Sequence, residues 1–68
     1  MHVLKINGSE KTFEVLPNSL AELLDDMKIN KATVVAEIDG GIVERGKFEE
    51  TPVKAGQQIE LIRFVGGG

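Results

Sequence analysis

Sixty-eight residues make one small domain, and at this size folding buries only about 60% of the surface that the unfolded chain exposes, which leaves little room for an internal active site. The chain has no cysteine and one histidine, His2, so disulfide staples and cysteine metal sites are excluded and an ordinary apolar core must hold the fold. The net charge is −3, with acids and bases interspersed and no basic block, which argues against nucleic acid and against anionic membranes as partners.

His2, beside Met1, reads as a solvated strand residue, because imidazole chemistry needs a positioned partner. No apolar run approaches the roughly 20 residues of a membrane span. No charged-then-apolar leader opens the chain either, so a cytoplasmic protein is expected.

Met1 to Ile6 alternates, with Leu4 and Ile6 on one side and Val3 and Lys5 on the other, as a strand with one buried face does. Asn7-Gly8 then supplies a dipeptide that tolerates positive φ, the tight-hairpin signal. Lys11 to Leu16 alternates again, and the pattern turns Phe13 and Val15 inward and Thr12 and Glu14 outward. The opening is therefore expected to be a β-hairpin.

Pro17-Asn18 ends the second strand, and Ser19-Leu20-Ala21-Glu22 has the spacing of a capping box. Leu20, Leu23, Leu24 and Met27 recur at the spacing of one apolar helical stripe, with Glu22, Asp25 and Asp26 on the wet side. The helix is expected to close at Asn30 or Lys31. Asp25 and Asp26 do not form a metal or acid/base pair, because adjacent helical positions diverge by about 100°.

Thr33 to Ile38 is β-branched and alternating, which predicts a third strand with Val34, Ala36 and Ile38 inward. Asp39-Gly40 makes another turn, followed by a short strand at Ile42-Val43-Glu44. Gly40-Gly41 lacks the further glycines and the following helix of a phosphate-cradling loop, so it reads as a hairpin glycine pair. Arg45 to Ala55 is irregular, with Phe48 expected to plug the core from a loop or short helical turn and Thr51-Pro52-Val53 extended. Ala55-Gly56 turns the chain into the last and most strand-like run, Gln58 to Val65, which leads without a spacer into Gly66-Gly67-Gly68.

One amphipathic helix has one stripe to hide, and about five strands can form a sheet whose inner face covers it. The expected fold is a two-layer α+β domain over residues 1–65, a β-grasp or ubiquitin-like architecture with the first and last strands central and parallel. Ile59 and Leu61 fit the inner face of the last strand, which turns Ile62 and Phe64 outward beside Glu60. Large apolar residues exposed on a small domain mark a docking surface; the competing reading has the strand twist and Phe64 fold over a core edge.

Residues 66–68 form the other expected feature, a flexible glycine tail. Glycine presents the slimmest chain, so a terminal Gly-Gly is a carboxylate on a thin rod that can enter a narrow channel in another protein. Frayed chain ends and linker remnants have the same composition.

Joined to this fold, the tail makes the sequence resemble bacterial sulfur carriers of the ThiS type, which deliver sulfur for the thiazole ring of thiamin. The resemblance covers nearly the whole chain: the hairpin opening, Ser19-Leu20-Ala21-Glu22-Leu23-Leu24, Val35-Ala36-Glu37-Ile38-Asp39-Gly40 with Ile42-Val43 after it, Val53-Lys54-Ala55-Gly56-Gln57, and Phe64-Val65-Gly66-Gly67-Gly68. Only the tail is specific to a mechanism. The resemblance implies that Gly67 and Gly68 are the functional residues, with Gly66 as an extra small residue. It implies no catalytic residue in the chain, no metal and no bound cofactor.

What the family implies is group transfer by partners. A ubiquitin-activating-like adenylyltransferase of the ThiF type uses ATP to turn the carboxylate of Gly68 into an acyl adenylate. Sulfur from a protein persulfide, such as that of a cysteine desulfurase, then displaces AMP to leave a thiocarboxylate, and a thiazole synthase of the ThiG type accepts the sulfur. The carrier is a cosubstrate, and the chemistry belongs to its partners. The small subunit of molybdopterin synthase and other ubiquitin-like sulfur carriers or protein modifiers share this fold and tail. A β-grasp binding module with an inert tail is the alternative of another class.

Overall fold

The computed structural model describes residues 1–63. Its elements are β1 (His2–Ile6), β2 (Ser9–Phe13), α1 (Leu20–Asp26), β3 (Val34–Ile38), β4 (Gly41–Val43) and β5 (Gln58–Arg63), with 3-10 turns at Lys31–Thr33 and Arg45–Glu50. The five strands form one mixed sheet in the order β2-β1-β5-β3-β4. β5 lies in the middle, parallel to β1 and antiparallel to β3.

Both hairpins turn on the dipeptides that the sequence singles out. Asn7 (φ 50) with Gly8 (φ 83), and Asp39 (φ 50) with Gly40 (φ 87), place two consecutive residues at positive φ, the backbone of a type I′ turn whose twist matches that of the strands. β1 and β2 then pair in the register Ile6↔Ser9 to His2↔Phe13. Since β1 begins at His2, a residue beyond Phe13 has almost no strand left to pair with. β2 therefore ends at Phe13 and not at Leu16, and Val15, expected inward, is 82% exposed. Alternation predicts a face only while the ladder continues.

The helix starts where the capping signal places it. Ser19 accepts a hydrogen bond from the Glu22 N–H at 3.1 Å, while the Glu22 carboxylate accepts from the Asn18 N–H at 3.3 Å, one residue earlier than in the standard reciprocal box. It ends at Asp26, with Met27 as its cap, sooner than the expected Asn30 or Lys31. Lys28 takes the left-handed conformation (φ 59), its N–H donates to the Asp25 carbonyl, and the Ile29 N–H donates to the Leu24 carbonyl. This is a Schellman closure, which also folds Ile29 into the core. A lysine at the position usually held by glycine hides that stop from a sequence reading.

Leu4 and Ile6 of β1, Val34 and Ala36 of β3, and Ile59 and Leu61 of β5 form the inner face of the sheet. They share one core with Leu20, Ala21, Leu23 and Leu24 of α1 and with Ile29, Phe48 and Val53. Phe48 enters from the 3-10 turn Arg45–Glu50, and the Leu20 N–H, one of the helix's unpaired first donors, bonds to the Thr51 carbonyl at 2.8 Å. Each fully buried leucine or isoleucine contributes about 1.5–3 kcal/mol relative to an exposed one. No polar side chain is buried among the described residues, so this interior is a scaffold and carries no chemistry.

Candidate functional site: the last strand and its open face

The residues before β5 set its direction. Gly56 takes φ 86, and its N–H bonds to the Val3 carbonyl at 2.7 Å, tying the entry turn to β1. The Lys54 N–H donates to the Gln57 side-chain carbonyl at 2.8 Å, which closes the turn on itself. The strand then runs between two neighbours and is held along both edges.

On the β1 edge the Lys5 N–H donates to the Gln57 carbonyl and the Asn7 N–H to the Ile59 carbonyl, at 3.0 and 2.9 Å. There β1 turns away, but the Asn7 side chain continues the ladder. Its Oδ1 accepts from the Leu61 N–H at 2.7 Å, and its Nδ2 donates to the Leu61 carbonyl at 3.2 Å. One amide side chain thus satisfies both backbone groups of a residue that would otherwise lie beyond its partner strand. On the β3 edge Asp39 behaves similarly at the start of the strand: its N–H donates to the Gln58 carbonyl at 2.8 Å, and its Oδ1 accepts from the Gln58 N–H at 2.9 Å. The first residues of the two I′ turns therefore clamp β5 from opposite sides. Sequence reasoning assigns Asn7 and Asp39 to the turns and misses this second use. The available signal is the residue type, since Asn and Asp both tolerate positive φ and carry groups that imitate the backbone.

Side chains along β5 alternate as expected. Ile59 and Leu61 are buried, whereas Glu60 and Ile62 face out, Ile62 with 52% of its surface exposed. Beside them on the outer face lie Val35 and Glu37 of β3, both half-buried, and Ile42 of β4, which is exposed. The register sets Val35 opposite Ile62, and Glu37 opposite both Glu60 and Ile42. No described element covers this face. Of the expected site residues, Ile62 stands where alternation places it, while Phe64, Gly66, Gly67 and Gly68 lie outside the described residues. Among the described residues no group of three or more His, Cys, Asp or Glu side chains is placed to hold a metal ion. His2 is exposed at the start of β1, and Asp25 forms an ion pair with Lys31 on the helix's wet side.

A mixed sheet with its first and last strands parallel at the centre, crossed by one helix, defines the class: a ubiquitin-like β-grasp domain. The chain has 35% sequence identity to the thiamine biosynthesis protein ThiS from Geobacter metallireducens, whose crystal structure superimposes with a TM-score of 0.82 over 97% of this chain and 99% of that one. A solution NMR structure of a thiamine biosynthesis protein from the same organism has 36% identity and a TM-score of 0.78, covering 100% of this chain and 88% of that one. The sequence profile of the ThiS family matches residues 3–68. The chain belongs to the ThiS family.

A thiazole synthase from Paramagnetospirillum magneticum is 29% identical over 65 residues, which are 96% of this chain and 20% of that protein. The chain thus spans about a fifth of the length of this relative.

Proposed function

We propose that the protein carries sulfur as a thiocarboxylate on Gly68 and presents it to a thiazole synthase. The observation that carries this reading is the family match, which runs through the three glycines to residue 68. A carboxylate resists attack by a sulfur nucleophile until an oxygen becomes part of a good leaving group. An adenylyltransferase supplies that by joining the Gly68 carboxylate to the α-phosphate of ATP, with pyrophosphate leaving. The outer sulfur of a protein persulfide then attacks the acyl carbon and AMP departs. A thiol cleaves the resulting acyl disulfide, which leaves the thiocarboxylate on Gly68 and a disulfide on the donor.

ATP binds to the activating partner, and the carrier holds no cofactor of its own. The absence of cysteine fits this assignment, because the sulfur rides on the carboxyl carbon. Gly66 and Gly67 serve as the slender stem that enters the partner's channel, and a side chain there would meet its walls. Ile62 and Phe64 belong to the docking surface that holds the tail in place, raising its effective concentration at the reacting centre. The resemblance to part of a thiazole synthase supports that enzyme as the acceptor, since a carrier-like segment within a synthase puts donor and acceptor together. We assign these ATP-dependent steps to the cytoplasm. Among the described residues no helix is long and apolar enough to cross a membrane.

Incubation with a ThiF-type adenylyltransferase, ATP and a persulfide donor tests the reading by mass spectrometry. The expected result is a gain of about 16 Da, oxygen replaced by sulfur, confined to the terminal peptide. An unchanged mass with an active adenylyltransferase would refute it.

A further inference from the structure

The outer face of the sheet contains an arrangement that folding alone does not favour. Glu37 and Glu60 are direct cross-strand partners in the β3–β5 ladder. Directly opposed side chains on one face have their Cβ atoms about 5 Å apart, and like charges there are destabilising. No cation relieves the pair: among the described residues the one ion pair joins Asp25 of α1 to Lys31 of the 3-10 turn that follows it. Lys5, the cation of β1 on this face, stands in register with Glu10 on one side and Gln58 on the other. Apolar groups flank the two carboxylates. Ile42 adjoins Glu37 across the β3–β4 ladder, and the Val35/Ile62 row lies next along the strands.

We propose that this face is read by a protein partner that presents an arginine set among apolar side chains, with the guanidinium over Glu37 and Glu60 and the apolar groups against Val35, Ile42 and Ile62. The inference rests on the carrier reading above and specifies the chemistry of the surface through which the activating partner holds the tail. Arginine suits the site because its planar fork can donate to two carboxylates at once and is more weakly hydrated than an ammonium group, so it enters a partly apolar contact more readily than lysine. A second copy of this chain is the wrong occupant. Apposing two such faces would bring four carboxylates together, and like-charge juxtaposition across an interface opposes association.

The test uses the full chain with both carboxylates neutralised, Glu37→Gln with Glu60→Gln, in ATP–pyrophosphate exchange catalysed by a ThiF-type adenylyltransferase. Loss of charge-assisted contacts predicts a KM for the carrier about tenfold higher at low salt, with kcat changed by less than about twofold, because only docking is weakened. The rise should shrink as salt is added. The melting temperature should stay level or increase, since the repulsion within the free protein is gone; a purely structural role would lower it. An unchanged KM in the variant, while the wild type turns over, overturns the docking proposal and leaves the carrier reading intact. A wild type that supports no exchange with an active enzyme overturns both. Sedimentation showing the wild type dimerised through this face would also overturn the assigned occupant.

Discussion

The two faces of one sheet differ more than any two elements of the molecule. On the inner face Leu4, Ile6, Val34, Ala36, Ile59 and Leu61 are all buried beneath the helix. On the outer face the alternating neighbours in the same strands, Val35, Glu37, Glu60 and Ile62, are half-buried or exposed, and no described element covers them. β5 contributes to both sets within six residues. Residues one position apart therefore answer to different requirements: Ile59 and Leu61 keep the domain folded, while Glu60 and Ile62 are free to serve recognition. A small domain without disulfides needs every inward position of such a strand for stability, so its outward positions are where binding chemistry can be placed at little cost to the fold.

Substitutions on either side of this division test it. The largest effect on stability belongs to Ile59→Ala, which empties a fully buried site in the central strand and should cost about 2–5 kcal/mol in urea unfolding. In a domain of this size that removes much of the total stability. A loss under about 1 kcal/mol, the range of a tolerated volume-conserving swap, would show that the core is not packed as described.

Next in size is the clamp on the edge of β5. Asn7→Gly keeps the positive φ and deletes only the two side-chain bonds to Leu61, for about 1–2 kcal/mol. Asn7→Ala should cost about 1 kcal/mol more, because alanine is strained at φ 50. The same two variants should accelerate exchange of the Leu61 amide in hydrogen-exchange measurements. Equal stability of the two variants would mean that the turn conformation contributes nothing.

The smallest structural effect belongs to Ile62→Ser, on the outer face. It should change stability by no more than about 0.5 kcal/mol yet raise the carrier's KM in ATP–pyrophosphate exchange. A fall in melting temperature as large as that of Ile59→Ala, with KM unchanged, would move Ile62 from the proposed docking surface into the core.

Much of this division was legible in the sequence, because alternation is a local consequence of strand geometry. The inward set of β1, β3 and β5, the helix stripe from Leu20 to Leu24, the plug at Phe48 and the central parallel pair all follow from period and element order. The readings that failed depend on where a partner strand stops or on a backbone conformation without its usual residue. Val15 is exposed because the β1–β2 ladder ends at the His2↔Phe13 pair, and the helix stops at Asp26 because Lys28 adopts the left-handed conformation without being glycine. The clamps of Asn7 and Asp39 on β5 connect residues 54 and 19 positions apart, a distance that no local pattern spans. Glu37 and Glu60 read as ordinary wet-face positions until the register sets them opposite each other. Of the candidate site, Ile62 was placed by alternation, whereas Phe64 and the glycines 66–68 lie outside the described residues and rest on the family resemblance.

The account turns on the acyl group of Gly68 being the one that accepts sulfur. Addition of a single alanine after Gly68 leaves residues 1–63 and their packing untouched while locking that acyl group into a peptide bond. With the adenylyltransferase, ATP and a persulfide donor, the extended protein should show no gain of the roughly 16 Da that accompanies exchange of oxygen for sulfur. Sulfur uptake by the extended protein at the wild-type rate would contradict the account.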